Sequence, residues 1–188
     1  MLNALLVVAT LASQAPAVPD APEDLGVLKW EIFVGLTAGL RPDAVGGGAA
    51  GLIGINRRVF SWLRPEVSVG LGLFDQPLDV LIPIRIGARL EWPSDARLKP
   101  YLWVAFAHFH EIGFEDARRH PGEAVLGSAD HGVHHRSGVD TGLGVSFDLR
   151  FGSRVGARFN LRGSVTSLVA GHGPPRYVDL LGTVGLIF

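Results

Sequence analysis

Residues 65–74 read PEVSVGLGLF and residues 80–91 read VLIPIRIGARLE. In the first, Val67, Val69, Leu71 and Leu73 alternate with Glu66, Ser68, Gly70 and Gly72. In the second, Val80, Ile82, Ile84, Ile86, Ala88 and Leu90 form one set, and Arg85, Gly87, Arg89 and Glu91 fall on the other. A period of two sends successive side chains to opposite faces of a strand, so each stretch has one apolar face and one that carries charge. Asp75 to Leu78 turns the first strand into the second.

The same period continues outward in both directions. Upstream, Leu28, Trp30, Ile32, Val34, Leu36, Ala38 and Leu40 oppose Lys29, Glu31, Thr37 and Arg41, and a second strand covers about Ala49 to Arg58 after a Pro42-Asp43 turn and Gly46-Gly47-Gly48. Downstream, strands are expected from Tyr101 to about Glu111, from His135 to Arg150, from Val155 through Leu161, and from Tyr177 to Phe188. That makes eight strands, with tight polar turns except for one irregular connection, Ile112 to Val133. In the fifth strand the odd positions, Tyr101, Trp103, Ala105, Ala107 and Phe109, are assigned outward, which turns His108 and His110 inward.

Composition bounds the function. A chain of 188 residues, 47% hydrophobic, supports one domain. With 17 basic and 18 acidic residues there is no global field for nucleic acid, and neither a phosphate-cradling glycine loop nor a basic stripe with interleaved aromatics is present. The absence of cysteine excludes disulfides and thiolate chemistry. The apolar run Ala4 to Ala12, followed by Ser13-Gln14-Ala15-Pro16-Ala17, resembles a secretory signal. The expected organisation is therefore a signal at 1–17, a periplasmic leader at 18–25 and a barrel domain at 26–188.

Alternation also describes a soluble sandwich, so the aromatics must discriminate. If the N-terminus is periplasmic, counting strands puts Trp30, Trp62, Trp92 and Trp103 at periplasmic ends, with Phe60, Tyr101, Phe147, Phe151 and Phe188. A girdle of this kind suits rings at the headgroup level. The last strand, with Val178, Leu180, Val184, Leu186 and terminal Phe188 at alternating positions, resembles the C-terminal signature of bacterial outer-membrane barrels. The resemblance is to the small eight-stranded outer-membrane proteins as a class. It implies an antiparallel up-and-down transmembrane β-barrel in the outer membrane of a double-membraned bacterium. It also implies contact with outer-membrane lipid and lipopolysaccharide, and recognition of the last strand by the barrel-assembly machinery. Eight strands leave room only for side chains, so a polar lumen filled by ion pairs is expected, not a diffusion pore.

The histidines gather at the extracellular end: His108, His110, His120, His131, His134, His135 and His172. Three readings stay open. The first is a structural or surface-interaction role whose extracellular partner the sequence does not name. The second is a zinc or nickel site formed by the inward His108 and His110 with His131 and His134 from the loop. The third is hydrolysis of an outer-leaflet lipid. His135-Arg136-Ser137 resembles the His-x-Ser arrangement of lipid A deacylase barrels, which implies Ser137 as nucleophile and His135 as its base. Gly138 stands where that family has Asn. Outward parity adds Glu111 as an orienting acid, and pairing Trp103 near Phe147 brings Glu111 to the level of Val139.

Overall fold

The computed structural model describes residues 29–42, 46–75, 78–93, 97–126, 132–151, 154–169 and 175–188. The expected signal and leader, and His131 and His172, lie outside the described residues. The strands are β1 (Trp30–Leu40), β2 (Gly47–Arg57), β3 (Leu63–Phe74), β4 (Asp79–Glu91), β5 (Leu98–Gly113), β6 (His134–Arg150), β7 (Gly156–Leu168) and β8 (Arg176–Ile187). Each pairs antiparallel with its neighbours, and β1 pairs with β8, so the sheet closes into a barrel with no free edge. Trp30 and Phe188 mark the lower end.

The polarity of this barrel is the inverse of a soluble protein. Leu36 is 75% and Leu143 71% exposed on the outer wall, whereas Glu31 and Asp140 inside are 0% exposed. Water would penalise such a wall heavily, and hydrocarbon would not. The wall is membrane-facing. At its lower rim Trp30, Phe60, Trp62, Trp92, Phe151 and Phe188 are exposed as a girdle, and Phe60 stacks on Trp62 at 5.7 Å.

Inside, arginine forks meet carboxylates. Arg158 holds Asp148 through two bonds, 2.6 and 2.7 Å, and reaches Glu91 at 2.7 Å. Arg89 meets Glu66 at 2.5 Å, and Arg85 bridges Asp140 at 3.0 Å and Asp179 at 2.9 Å. Because a buried charge is tolerated only when paired, these bonds are what lets the lumen be ionic. The upper part is aromatic, with Phe74, Phe109 and Tyr177 packed together.

Three expectations require correction. First, Trp103 and Tyr101 leave the girdle for the lumen. Trp103 is fully buried; its indole N–H donates to Asp140 at 2.9 Å, and Arg162 lies 4.1 Å from its ring centroid. Facing in β5 is thus reversed: Leu102, Val104 and Phe106 are the exposed set. Tyr101 fits because Gly144, its partner on β6, has no side chain; a Cβ there would strike the phenol ring.

Second, β5 and β6 pair Leu98 with Phe147 and Trp103 with Gly142, which puts Glu111 opposite His134, not Val139. Third, the long connection contains two helices, α1 (Phe114–Arg119) and α2 (Pro121–Leu126). Phe114, Ala117 and Ala124 pack on Val80, Ile82 and Ile112 of the outer wall, so this segment folds down beside the barrel.

Candidate functional site

Reversing β5 carries His108 and His110 to the outside. The β5–β6 register sets His108 directly opposite Ser137, and His110 directly opposite His135. Because alternate residues share a face, these four side chains form one patch on the outer wall, two from each strand. Nine positions separate His110 from Tyr101, whose cross-strand partner Glu91 precedes Trp92 of the girdle. At ~3.3 Å per residue and a tilt near 40°, the patch stands about 23 Å above the girdle, at the upper edge of an apolar band ~25 Å tall.

Ser137 Oγ lies 2.8 Å from His108 Nδ1. His108 Nε2 lies 3.3 Å from His135 Nδ1. Two proton arrangements satisfy both contacts; in the one that serves catalysis the Ser137 hydroxyl donates to Nδ1 of His108, whose Nε2–H donates to His135. A serine, an imidazole that can take its proton, and a second imidazole that orients the first are thereby in line. The backbone at Ser137 is pinned from the other side, where Val169 N–H donates to its carbonyl at 2.9 Å. Gly138 follows for a steric reason: a Cβ there would collide with the β7 backbone at Ser167 and Leu168.

His110 is 6% exposed, beneath the backbone of Ala124 and Val125 in α2. The backbone of Ala124 and Val125 bonds the His110 ring, and its Nδ1 is buried with no partner inside 3.5 Å. The His110 ring stands 4.8 Å from that of His135 and 5.0 Å from that of His108, centroid to centroid.

No protein-family model and no curated protein matches the chain. Among solved structures it is similar to the crystal structure of Neisserial surface protein A (NspA), at 12% identity with a TM-score of 0.56, covering 85% of this chain and 96% of that one. That likeness shows the fold, a closed antiparallel barrel of eight strands. It is also similar to the N-terminal β-barrel domain of Pseudomonas aeruginosa OprF, at 13% identity, 83% and 96% coverage and a TM-score of 0.46. A de novo designed transmembrane β-barrel matches at 10% identity, 86% and 96% coverage and a TM-score of 0.48.

Of the expected site residues, Ser137 and His135 share the outer wall as anticipated, and His108 and His110 join them there instead of pointing inward. Glu111 does not. It faces the lumen, where Arg41 meets it at 2.6 Å and Arg136 at 3.3 Å, so its carboxylate serves the ionic interior. His134 lies opposite Glu111, off the face that carries the patch, and is exposed. Of the four histidines expected to form an inward metal site, His108 and His110 face outward beside His135, His134 lies off that face, and His131 is outside the described residues.

One feature of the site carried no recognised sequence signal. An apolar groove of about 610 Å³ runs along the outer wall between β2–β4 and the two helices, lined by Leu71, Leu73, Val80, Ile82, Phe114 and Val125 among others. Ile82 is the direct cross-strand partner of His110. The groove thus ends at the histidine patch.

Proposed function

We propose that this chain is an outer-membrane acyl hydrolase that opens an ester bond of an outer-leaflet lipid, with lipopolysaccharide as the substrate class that the His-x-Ser resemblance suggests. The observation that carries the reading is the 2.8 Å contact between Ser137 Oγ and His108 Nδ1 on a wall that faces lipid, with His135 on the far nitrogen of the same imidazole. The apolar outer band, the lower girdle and the short lower turns support placement in an outer membrane with the helices on the outer-leaflet side.

In this reading Ser137 Oγ attacks the ester carbonyl and its proton passes to His108 Nδ1. The imidazolium gives that proton to the departing alkoxide, leaving an acyl-serine. Water then attacks the acyl-serine, losing a proton to His108, which returns it to Ser137 as the fatty acid leaves. His135 accepts the Nε2–H bond throughout, which holds the ring and supports its positive charge. His108 thus takes the role of base that the resemblance implied for His135, and His135 replaces Glu111 as the orienting group. The groove ending at Ile82 offers an acyl chain a place beside the helices, within the volume range of small-ligand sites. The lumen, filled with ion pairs and aromatics, takes no part and is not a diffusion path.

A fluorophosphonate probe tests the nucleophile. The folded barrel in detergent is expected to be labelled on one serine, and peptide mapping to place the label on Ser137. Labelling that is absent, or that persists in Ser137→Ala, counts against the assignment.

A further inference from the structure

We propose that His108, His110 and His135 bind one divalent transition-metal ion of the zinc class, and that its binding switches Ser137 off. The second half rests on the acyl-hydrolase reading; the first does not. One ligand nitrogen from each of the three rings lies within 4.8 Å of the others. Nitrogens held ~2.0–2.1 Å from a tetrahedral zinc ion stand about 3.3 Å apart. His108 Nε2 and His135 Nδ1 are already at that spacing, 3.3 Å. His110 supplies the second observation, an imidazole 6% exposed whose Nδ1 has no partner inside 3.5 Å.

Three neutral imidazoles with a fourth position open toward water or headgroups suit zinc, and the donor set suits nickel and copper as well; a hard ion such as magnesium prefers oxygen. His135 is exposed, so the ion has a way in. Ser137 completes the arrangement. A ligating histidine almost always donates its other N–H to an oxygen, and Ser137 Oγ stands 2.8 Å from His108 Nδ1 to receive it.

The two uses of His108 exclude each other. Catalysis needs Nδ1 as a lone pair that accepts the Ser137 proton, with the hydrogen on Nε2. A metal ion on Nε2 displaces that hydrogen and leaves the neutral ring protonated on Nδ1, where it donates to Ser137. His135 Nδ1, which accepted from His108, is taken by the same ion. Metal therefore converts the base into a donor without moving the backbone.

The test titrates zinc chloride into the refolded full chain in detergent micelles by calorimetry, with heat-modifiable gel migration as the folding check. The expected result is one zinc per wild-type barrel, still one but roughly tenfold weaker in Ser137→Ala, which loses the acceptor of the His108 Nδ1–H, and roughly 100-fold weaker in His110→Ala, with His110→Gln as a second variant if Ala fails to fold. Acyl release by the wild type is expected to fall at least tenfold at saturating zinc and to return with chelator. The zinc concentration that inhibits His110→Ala should rise in step with its dissociation constant. A folded wild type that binds no zinc, or binding untouched by both His110 variants, overturns the site. Stoichiometric zinc with undiminished acyl release overturns the switch. Zinc binding by a barrel that releases no acyl chain at any zinc concentration, or after chelation, supports the site and overturns the hydrolase reading.

Discussion

Ser137→Ala is expected to lower acyl release from a micellar ester substrate by at least ~10³-fold, and His108→Ala by a similar factor, with the double variant little worse than either alone. The non-additivity is the diagnostic part. A nucleophile without its base and a base without its nucleophile fail at the same step, so removing the second partner costs little more. His135→Ala should be milder, since that ring orients and supports His108 without touching substrate. Glu111→Gln separates this account from the sequence-based trio: its carboxylate is bonded to Arg41 and Arg136 inside the lumen, so the change should reduce the yield of folded barrel and leave the turnover of folded molecules near wild type. Rates normalised to the heat-modifiable fraction decide between them.

Arg158→Met is expected to have the largest effect on stability. Its guanidinium, 1% exposed, satisfies Asp148 through a two-bond fork and Glu91 through a third bond. Glu31 lies 3.7 Å from the same nitrogen that reaches Glu91. Removing the cation leaves these carboxylates crowded in the lumen, and breaking a buried pair from one side costs about 3–5 kcal/mol. Arg64 still holds Glu91 at 2.9 Å and Lys99 lies 3.7 Å from Asp148, which keeps the loss within that range. Urea unfolding of the barrel in lipid vesicles should show a lower midpoint at an unchanged slope. An unaltered midpoint would mean that the fork is bypassed.

Six of the eight strands were legible because their faces differ: Val67, Val69, Leu71 and Leu73 cannot be confused with Glu66 and Ser68, whereas β2 was placed only by its bounds. β5 lacked that contrast. Leu102, Val104 and Phe106 on one side and Trp103, Ala105 and Phe109 on the other are both apolar, because the lumen at that level seats a tryptophan and two neighbouring aromatics as well as charge. Its facing follows from register. Directly opposed residues share a face, and Trp103 stands opposite the inward Arg89. Register depends on the turn between β4 and β5, which alternation does not measure.

That one reversal moved every candidate group on β5, sending Glu111 to the lumen and bringing His108 to Ser137. The patch was therefore half legible, through His135-Arg136-Ser137, while its base came from a neighbouring strand. The helices were missed for a different reason. Each spans six residues, too short to establish a helical period alone, although Phe114, Ala117 and Ala124 recur at intervals of three and seven.

The central claim is that a serine on the outer wall cleaves lipid esters, and the products of that reaction report it most directly. Lipopolysaccharide and phospholipid should be extracted from cells producing either the wild-type barrel or Ser137→Ala, at matched amounts of folded protein, and their masses compared. The account predicts that the wild type alone yields lipid lighter by one acyl chain together with the matching free fatty acid. Identical lipid spectra from the two strains, with both barrels folded in the outer membrane, would contradict it.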